Sequence, residues 1–221
     1  MSQRVTRSAA AAGGKKPTLE LPMEAKKVSK PKKTPTAKAT KKAEETQKTA
    51  AIPENGDKAA DDSIYAFTAN DIKGTPVSLD KYKGHVSIIV NVASRCGHTK
   101  INYQQLVDLY EKYAGDKGLK ILAFPCNQFG AQEPGTPEAI CKFVEKYNVK
   151  FDMFEKINVN GPNAHPLYKF LSSKLPDPKG KGDKIKWNFT KFIIDADGKP
   201  VERFTPATKP ITLVETLNKY W

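Results

Sequence analysis

The chain has 221 residues, 38% hydrophobic and 28% charged, with a formal net charge of +13; that length admits one domain of ordinary size with residues to spare. Residues 1–50 carry 13 Lys and Arg against four Asp and Glu, so +9 of the charge sits in the first quarter and says nothing of a site further on. No run approaches the about 18 apolar residues of a membrane-spanning helix, and three cysteines, at 96, 126 and 141, are too few and too far apart for a disulfide-stapled scaffold.

Residues 1–61 read as a disordered Lys-rich extension. The stretch 26–42 holds one branched apolar residue, Val28, and no aromatic, too little to offset the entropy of ordering. A solubilising tail, an arm for nucleic acid or an anionic surface, and a nuclear localisation patch at Lys30, Lys32 and Lys33 all remain open; the lack of aromatics removes a stacking platform for bases. The start lacks the apolar core of a secretory signal, which makes an intracellular, cytoplasmic address the default. Its arginines and freedom from acids before Glu20 leave a mitochondrial presequence open.

Order is expected from Ser63. The alternating segment 63–67 suits a short strand, and Asp71 to Thr75 a turn before a second short strand at Val77. Residues 86–93 are nearly continuous and β-branched, as in a strand covered on both faces of a parallel sheet. That strand runs into Ser94, Arg95, Cys96, Gly97, His98 and Thr99, after which Tyr103, Leu106, Val107 and Tyr110 recur at helical spacing. A second strand, 119–124, ends in Pro125 and Cys126. Thr136 then caps a helix with Pro137 in its first turn and a stripe of Ile140, Phe143, Val144 and Tyr147. A short helix from Pro166, a strand over 189–194, a turn at 195–198, a returning strand at 201–204 and a last helix from about Ile211 complete the pattern. Alternating strands and helices predict an α/β domain over residues 62–221, with a central sheet flanked by helices.

Cys96 is placed where a central strand ends and a helix begins. Unpaired N–H groups and the positive end of the helix dipole favour thiolate there, the form that attacks. Arg95 and Lys100 add positive charge in sequence, and Gly97 leaves room beside the sulfur. The spacing is that of a Cys-x-x-Cys loop with Thr99 in the second cysteine's place, so the loop cannot close its own disulfide. A one-cysteine attack on an oxidant fits this better than dithiol exchange. A Cys96–His98 acyl-transfer pair is the weaker alternative, and a three-cysteine metal site lacks the close ligand spacing it needs.

Three ordered blocks carry a family resemblance: residues 91–99 around Cys96; 124–135, Phe-Pro-Cys-Asn-Gln-Phe-Gly-Ala-Gln-Glu-Pro-Gly; and 186–192, Lys-Trp-Asn-Phe-Thr-Lys-Phe. Together they resemble the signature blocks of the glutathione peroxidase family, and residues 148–154 resemble its phospholipid-hydroperoxide branch. The resemblance implies a thioredoxin-like fold with a mixed sheet and a thiol peroxidase with no cofactor and no metal. It places the peroxidatic selenocysteine or cysteine at Cys96, with Gln132, Trp187 and Asn188 as supporting donors. It implies hydroperoxide, organic or phospholipid, as substrate. Cys126, His98 and His165 are expected to have no catalytic part.

The family divides over how the sulfenic acid is reset. One branch uses glutathione; many cysteine-containing members form an internal disulfide and are reset by thioredoxin or a related dithiol protein, which is the expectation for this chain. The usual resolving position corresponds to Glu145. Cys141 lies four residues earlier and is the resolving candidate, with Cys126 the weaker one. A short span between His165 and Trp187 implies a monomer and an accessible Cys96. Lys100, Lys181, Lys184 and Lys186 are candidates for contact with anionic lipid or reductant, and transient approach to a membrane fits better than insertion. A redox-sensing interaction protein with little turnover is the different-class alternative.

Overall fold

A computed structural model describes residues 62–180 and 182–221; the Lys-rich extension and Lys181 lie outside the described residues. The segment expected to open with a strand opens instead with a 3-10 turn, Ile64–Ala66. The Ser63 hydroxyl accepts from the Tyr65 N–H and the Phe67 N–H donates to the Ile64 carbonyl, local bonds that outcompete extension. Strand β1 (Thr68–Asn70) follows, and β2 (Pro76–Ser78) pairs with it as an antiparallel hairpin.

The main sheet is built on β3 (Ser87–Val92), every residue of which is buried, as its unbroken apolar run predicts. β4 (Lys120–Pro125) pairs parallel to it, and the two-residue β5 (Asp152–Met153) parallel to β4. On the other side β6 (Lys191–Ile194) pairs antiparallel to β3 and β7 (Pro200–Phe204) antiparallel to β6, giving the order β5-β4-β3-β6-β7. The expected mixed sheet is therefore present, its helices being α1 (Thr99–Tyr113), α2 (Pro137–Glu145), α3 (Pro166–Lys174) and the short α4 (Val214–Leu217).

Strand alternation sorts the core into two layers. Ile88, Val90 and Val92 pack with Tyr103 and Leu106 of α1, Ile140 and Val144 of α2 and Leu217 of α4. Ile89 joins Leu122, Phe124, Leu167, Tyr168 and Phe192 on the opposite face. α2 starts as its sequence predicts: Thr136 accepts the Ala139 N–H and Pro137 occupies the first turn.

β6 starts two residues later than expected. Phe189 has φ of +65°, a left-handed conformation that a bulky residue adopts only when its surroundings impose it. Asn91 on β3 imposes it here: its carbonyl accepts the Phe189 N–H at 2.6 Å, its Oδ1 the Thr190 N–H at 3.1 Å, and its Nδ2 donates to the Trp187 carbonyl at 3.2 Å. The resulting corner sets Trp187 and Asn188 at the sheet edge.

Lys191 on β6 is fully buried and has no carboxylate partner among the described residues; its Nζ donates to the carbonyls of Thr208 (2.7 Å) and Pro206 (3.4 Å). Burial pulls its ammonium down to about 7. The unfolded chain therefore holds more protons than the folded one between that value and the ordinary lysine range, and this residue's contribution to stability rises with pH across that window and falls away below it. In paired thermal melts across that window, the stability of wild type relative to Lys191→Met is expected to increase with pH.

Candidate active site

One edge of the sheet collects all four residues the sequence singles out. β3 and β4 are parallel, so their C-terminal ends lie together; β6 runs the other way, so its N-terminal end joins them. Cys96 follows β3, Gln132 lies on the loop after β4, and Trp187 and Asn188 lead into β6. The C-terminal edge of parallel strands is where α/β sheets place their ligands.

Cys96 is buried, 8% exposed, with a free thiol. Thr99 shapes its turn from within: Oγ1 donates to the Ala93 carbonyl at 2.7 Å and accepts the Cys96 N–H at 3.0 Å. This is the consequence of threonine at the position a second cysteine would hold. The His98 N–H points at the Cys96 Sγ, 3.5 Å away, while the His98 side chain makes no cap bond to α1. A Cβ on Gly97 would meet nothing within 4 Å, so the space beside the turn is open.

The loop carrying Gln132 turns through two consecutive left-handed residues, Gly130 (φ +62°) and Ala131 (φ +51°). The Gln132 carbonyl accepts the Arg95 N–H at 3.0 Å, and its Oε1 accepts Nδ2 of Asn188 at 2.9 Å. With Oε1 so occupied, the Gln132 Nε2 is the donor end of that side chain. Asn188 is completely buried and keeps a second amide N–H. The pair therefore presents neutral donors at the sheet edge, suited to stabilising a charge that develops on sulfur or oxygen.

Trp187 is 39% exposed and packs on Phe129 at 5.8 Å between ring centroids. It lines a cavity of about 470 Å³ together with His98, Lys179, Lys186, Arg203 and Thr205. Arg203 braces the rim: its Nη1 donates to the carbonyls of Leu175 (3.0 Å) and Asp183 (2.7 Å) and its Nη2 to that of Lys184 (2.8 Å). Of the candidate lysines, Lys186 lines the cavity, Lys184 is exposed on its rim segment, Lys100 is exposed on the first turn of α1, and Lys181 lies outside the described residues.

Cys126 directly follows β4 at this edge, its N–H donating to the Val92 carbonyl at 3.0 Å, but its side chain turns into the other layer. Cys126 is fully buried in the layer opposite to that of Cys96, and burial pushes its thiol up. Cys141 is half-buried in the continuous helix α2. Ala139, Lys142 and Phe143 of that helix line a second cleft shared with Ser94 and Arg95. At about 100° per residue, Cys141 lies on the far side of the helix from Ala139 and Phe143. His165 is partly buried and caps α3, its Nδ1 accepting the Leu167 N–H at 3.2 Å; burial pulls its pKa down.

Sequence reasoning missed Glu133, Arg203 and Lys191. Each is a charged residue in a loop or strand whose pattern marks it as solvent-facing, and each is buried through contacts that only the folded chain brings together.

A free cysteine on a strand-to-helix turn of a thioredoxin-like sheet, with a backbone N–H on its sulfur and neutral amide donors on the adjoining loops, defines a thiol-based redox enzyme. The glutathione peroxidase family model matches residues 64–172. A phospholipid hydroperoxide glutathione peroxidase of Pongo pygmaeus is 54% identical over 162 residues, covering 72% of this chain and 80% of that protein. The crystal structure of T. cruzi GPX1 aligns with a TM-score of 0.60 at 41% identity, covering 72% of this chain and 95% of that one. A thioredoxin-family thiol:disulfide interchange protein of Chlorobium tepidum, 14% identical with a TM-score of 0.53 over 70% of this chain and 92% of its own, shares the fold. The chain belongs to the glutathione peroxidase family, and it is a thiol peroxidase that reduces hydroperoxides.

Proposed function

We propose that this chain reduces hydroperoxides, those of phospholipids included, through a cycle centred on Cys96. The Cys96 thiolate attacks the terminal peroxide oxygen; the S–O bond forms, the O–O bond breaks, and the departing alkoxide takes up a proton as the alcohol. Sulfur is oxidised to sulfenic acid and the peroxide is reduced. The observation that carries this reading is the junction of the Cys96 turn with the loop of the Gln132–Asn188 pair: the His98 N–H on the sulfur, the Arg95 N–H on the Gln132 carbonyl and the Asn188 amide on the Gln132 side chain.

A phospholipid substrate is supported by the similarity to phospholipid hydroperoxide glutathione peroxidases and by the cavity at Trp187, lined also by Lys179 and Lys186. Those cations suit the anionic groups of a lipid surface approached transiently.

Reset is assigned to an external thiol acting directly on Cys96. The incoming thiol displaces hydroxide, which leaves as water, and forms a mixed disulfide; a second thiol resolves it, releasing Cys96 as thiol and the reductant as disulfide. Glutathione and a thioredoxin-type dithiol protein both fit this chemistry. The internal route through Cys141 needs Cα atoms within about 7 Å, and Cys141 lies on the face of α2 turned away from the cleft shared with Ser94 and Arg95. The test is steady-state reduction of a phospholipid hydroperoxide with glutathione and with a thioredoxin/thioredoxin-reductase system, using wild type and Cys141→Ser. Turnover in the variant is expected within about twofold of wild type, as for substitutions that touch no reacting group. Collapse of thioredoxin-driven turnover, with loss of a Cys96–Cys141 disulfide, would assign reset to Cys141 instead.

A further inference from the structure

Glu133 follows Gln132 in the chain and is the one fully buried carboxylate side chain among the described residues, at 0% exposure. Its Oε1 accepts the Ser94 hydroxyl at 2.7 Å, and its backbone N–H donates to Oδ1 of Asn127 at 2.8 Å. Its Oε2 is buried and has no hydrogen-bond partner among the described residues. Burial pushes this carboxyl up from the ordinary range, although the Ser94 hydroxyl and the charges of Lys156 and Arg95 work the other way. A side chain that is costly to bury and carries a buried unpaired oxygen calls for a compensating role.

That role is visible in what the carboxyl ties together. Ser94 stands two residues before Cys96. The turn that carries the cysteine is held from within by Thr99, and from outside by two bonds to the neighbouring loop: the Arg95 N–H to the Gln132 carbonyl, and the Ser94 hydroxyl to Glu133. Gln132 in turn accepts from Asn188. Glu133 is the side-chain link that makes the cysteine turn and the Gln132–Asn188 donors one unit.

We propose that Glu133 is a positioning residue for the peroxide reaction: through Ser94 it holds the Cys96 turn in register with the amide donors of Gln132 and Asn188. The proposal rests on the assignment of the reacting sulfur to Cys96. Removing either end of the link should slow oxidation of Cys96, whereas an uncharged isostere that still accepts the Ser94 hydroxyl should restore it.

The experiment is the single-turnover rate of Cys96 oxidation by hydrogen peroxide in full-length Ser94→Ala, Glu133→Ala, the Ser94→Ala/Glu133→Ala double variant and Glu133→Gln, with thermal melts alongside. Ser94→Ala and Glu133→Ala should each lose about tenfold, the scale of one buried hydrogen bond in a positioned site, and the double variant should be no slower than the slower single. Glu133→Gln should recover most of the loss. If Glu133→Ala does not fold, Ser94→Ala and Glu133→Gln carry the test, since one breaks the link and the other keeps it. Wild-type rates in Ser94→Ala, losses in the two single variants that multiply in the double, or a Glu133→Gln variant as slow as Ser94→Ala would overturn the proposal. A Cys96→Ser control that consumes peroxide as fast as wild type would overturn the Cys96 assignment itself, an outcome distinct from any of these.

Discussion

Cys96→Ser is expected to lose hydroperoxide turnover by roughly 10³-fold or more, the scale on which nucleophile deletions act. A serine hydroxyl fills nearly the same volume on a turn already fixed by Thr99 and the Ala93 carbonyl, so the fold should be retained. What is lost is chemical. The hydroxyl stays protonated near neutrality and cannot expand to the sulfenic state, whereas a thiolate both attacks and stores the oxygen until a thiol removes it. Peroxide consumption with saturating reductant, together with the thermal melt, separates the two effects: activity should vanish while the melting temperature stays within a few degrees.

Asn188→Ala should be the next most damaging change, about 10²-fold in the rate of Cys96 oxidation, comparable to deleting one donor from an oxyanion site. Asn188 is fully buried and donates to the Gln132 side chain at 2.9 Å. Alanine removes that bond, frees Gln132 to rotate, and deletes the remaining amide N–H at the sheet edge. The corner that presents it is held through Asn91 by backbone bonds at residues 187, 189 and 190, so the backbone should keep its path. The check is the pre-steady-state rate against peroxide concentration. A change in the rate of oxidation with an unchanged rate of reduction by thiol is the expected split; equal losses in both would indicate general disturbance of the edge.

The unbroken apolar run of β3 and the capped start of α2 are decided locally, by burial on two faces and by Thr136 and Pro137, and both are legible in the sequence. The hairpin between β6 and β7 was likewise announced by its Asp-Ala-Asp-Gly turn. Residues 63–67 suggest a strand because alternation looks the same in a strand and in a short turn, and the Ser63 bonds that decide between them are not visible as periodicity. β6 begins late for a non-local reason: Asn91, nearly a hundred residues away, captures the backbone at 189 and 190. At the site, the signature blocks carried Cys96, Gln132, Trp187 and Asn188 by resemblance, and the fold brings their loops to one edge. The contact between Gln132 and Asn188, the burial of Glu133 and the bracing by Arg203 are tertiary facts with no local signal. Cys141 shows the converse: spacing along a helix made it plausible as a resolving thiol, and the face it occupies argues against a direct bridge.

The measurement closest to the central claim is to mix reduced full-length protein with one equivalent of a phospholipid hydroperoxide, trap sulfenic acid with a dimedone-type nucleophile, and locate the adduct by peptide mass spectrometry. A single adduct at Cys96, formed as the hydroperoxide is converted to the alcohol and absent from Cys96→Ser, is the predicted result. Hydroperoxide conversion without an adduct at Cys96, or an adduct at Cys126 or Cys141 that persists in Cys96→Ser, would contradict it.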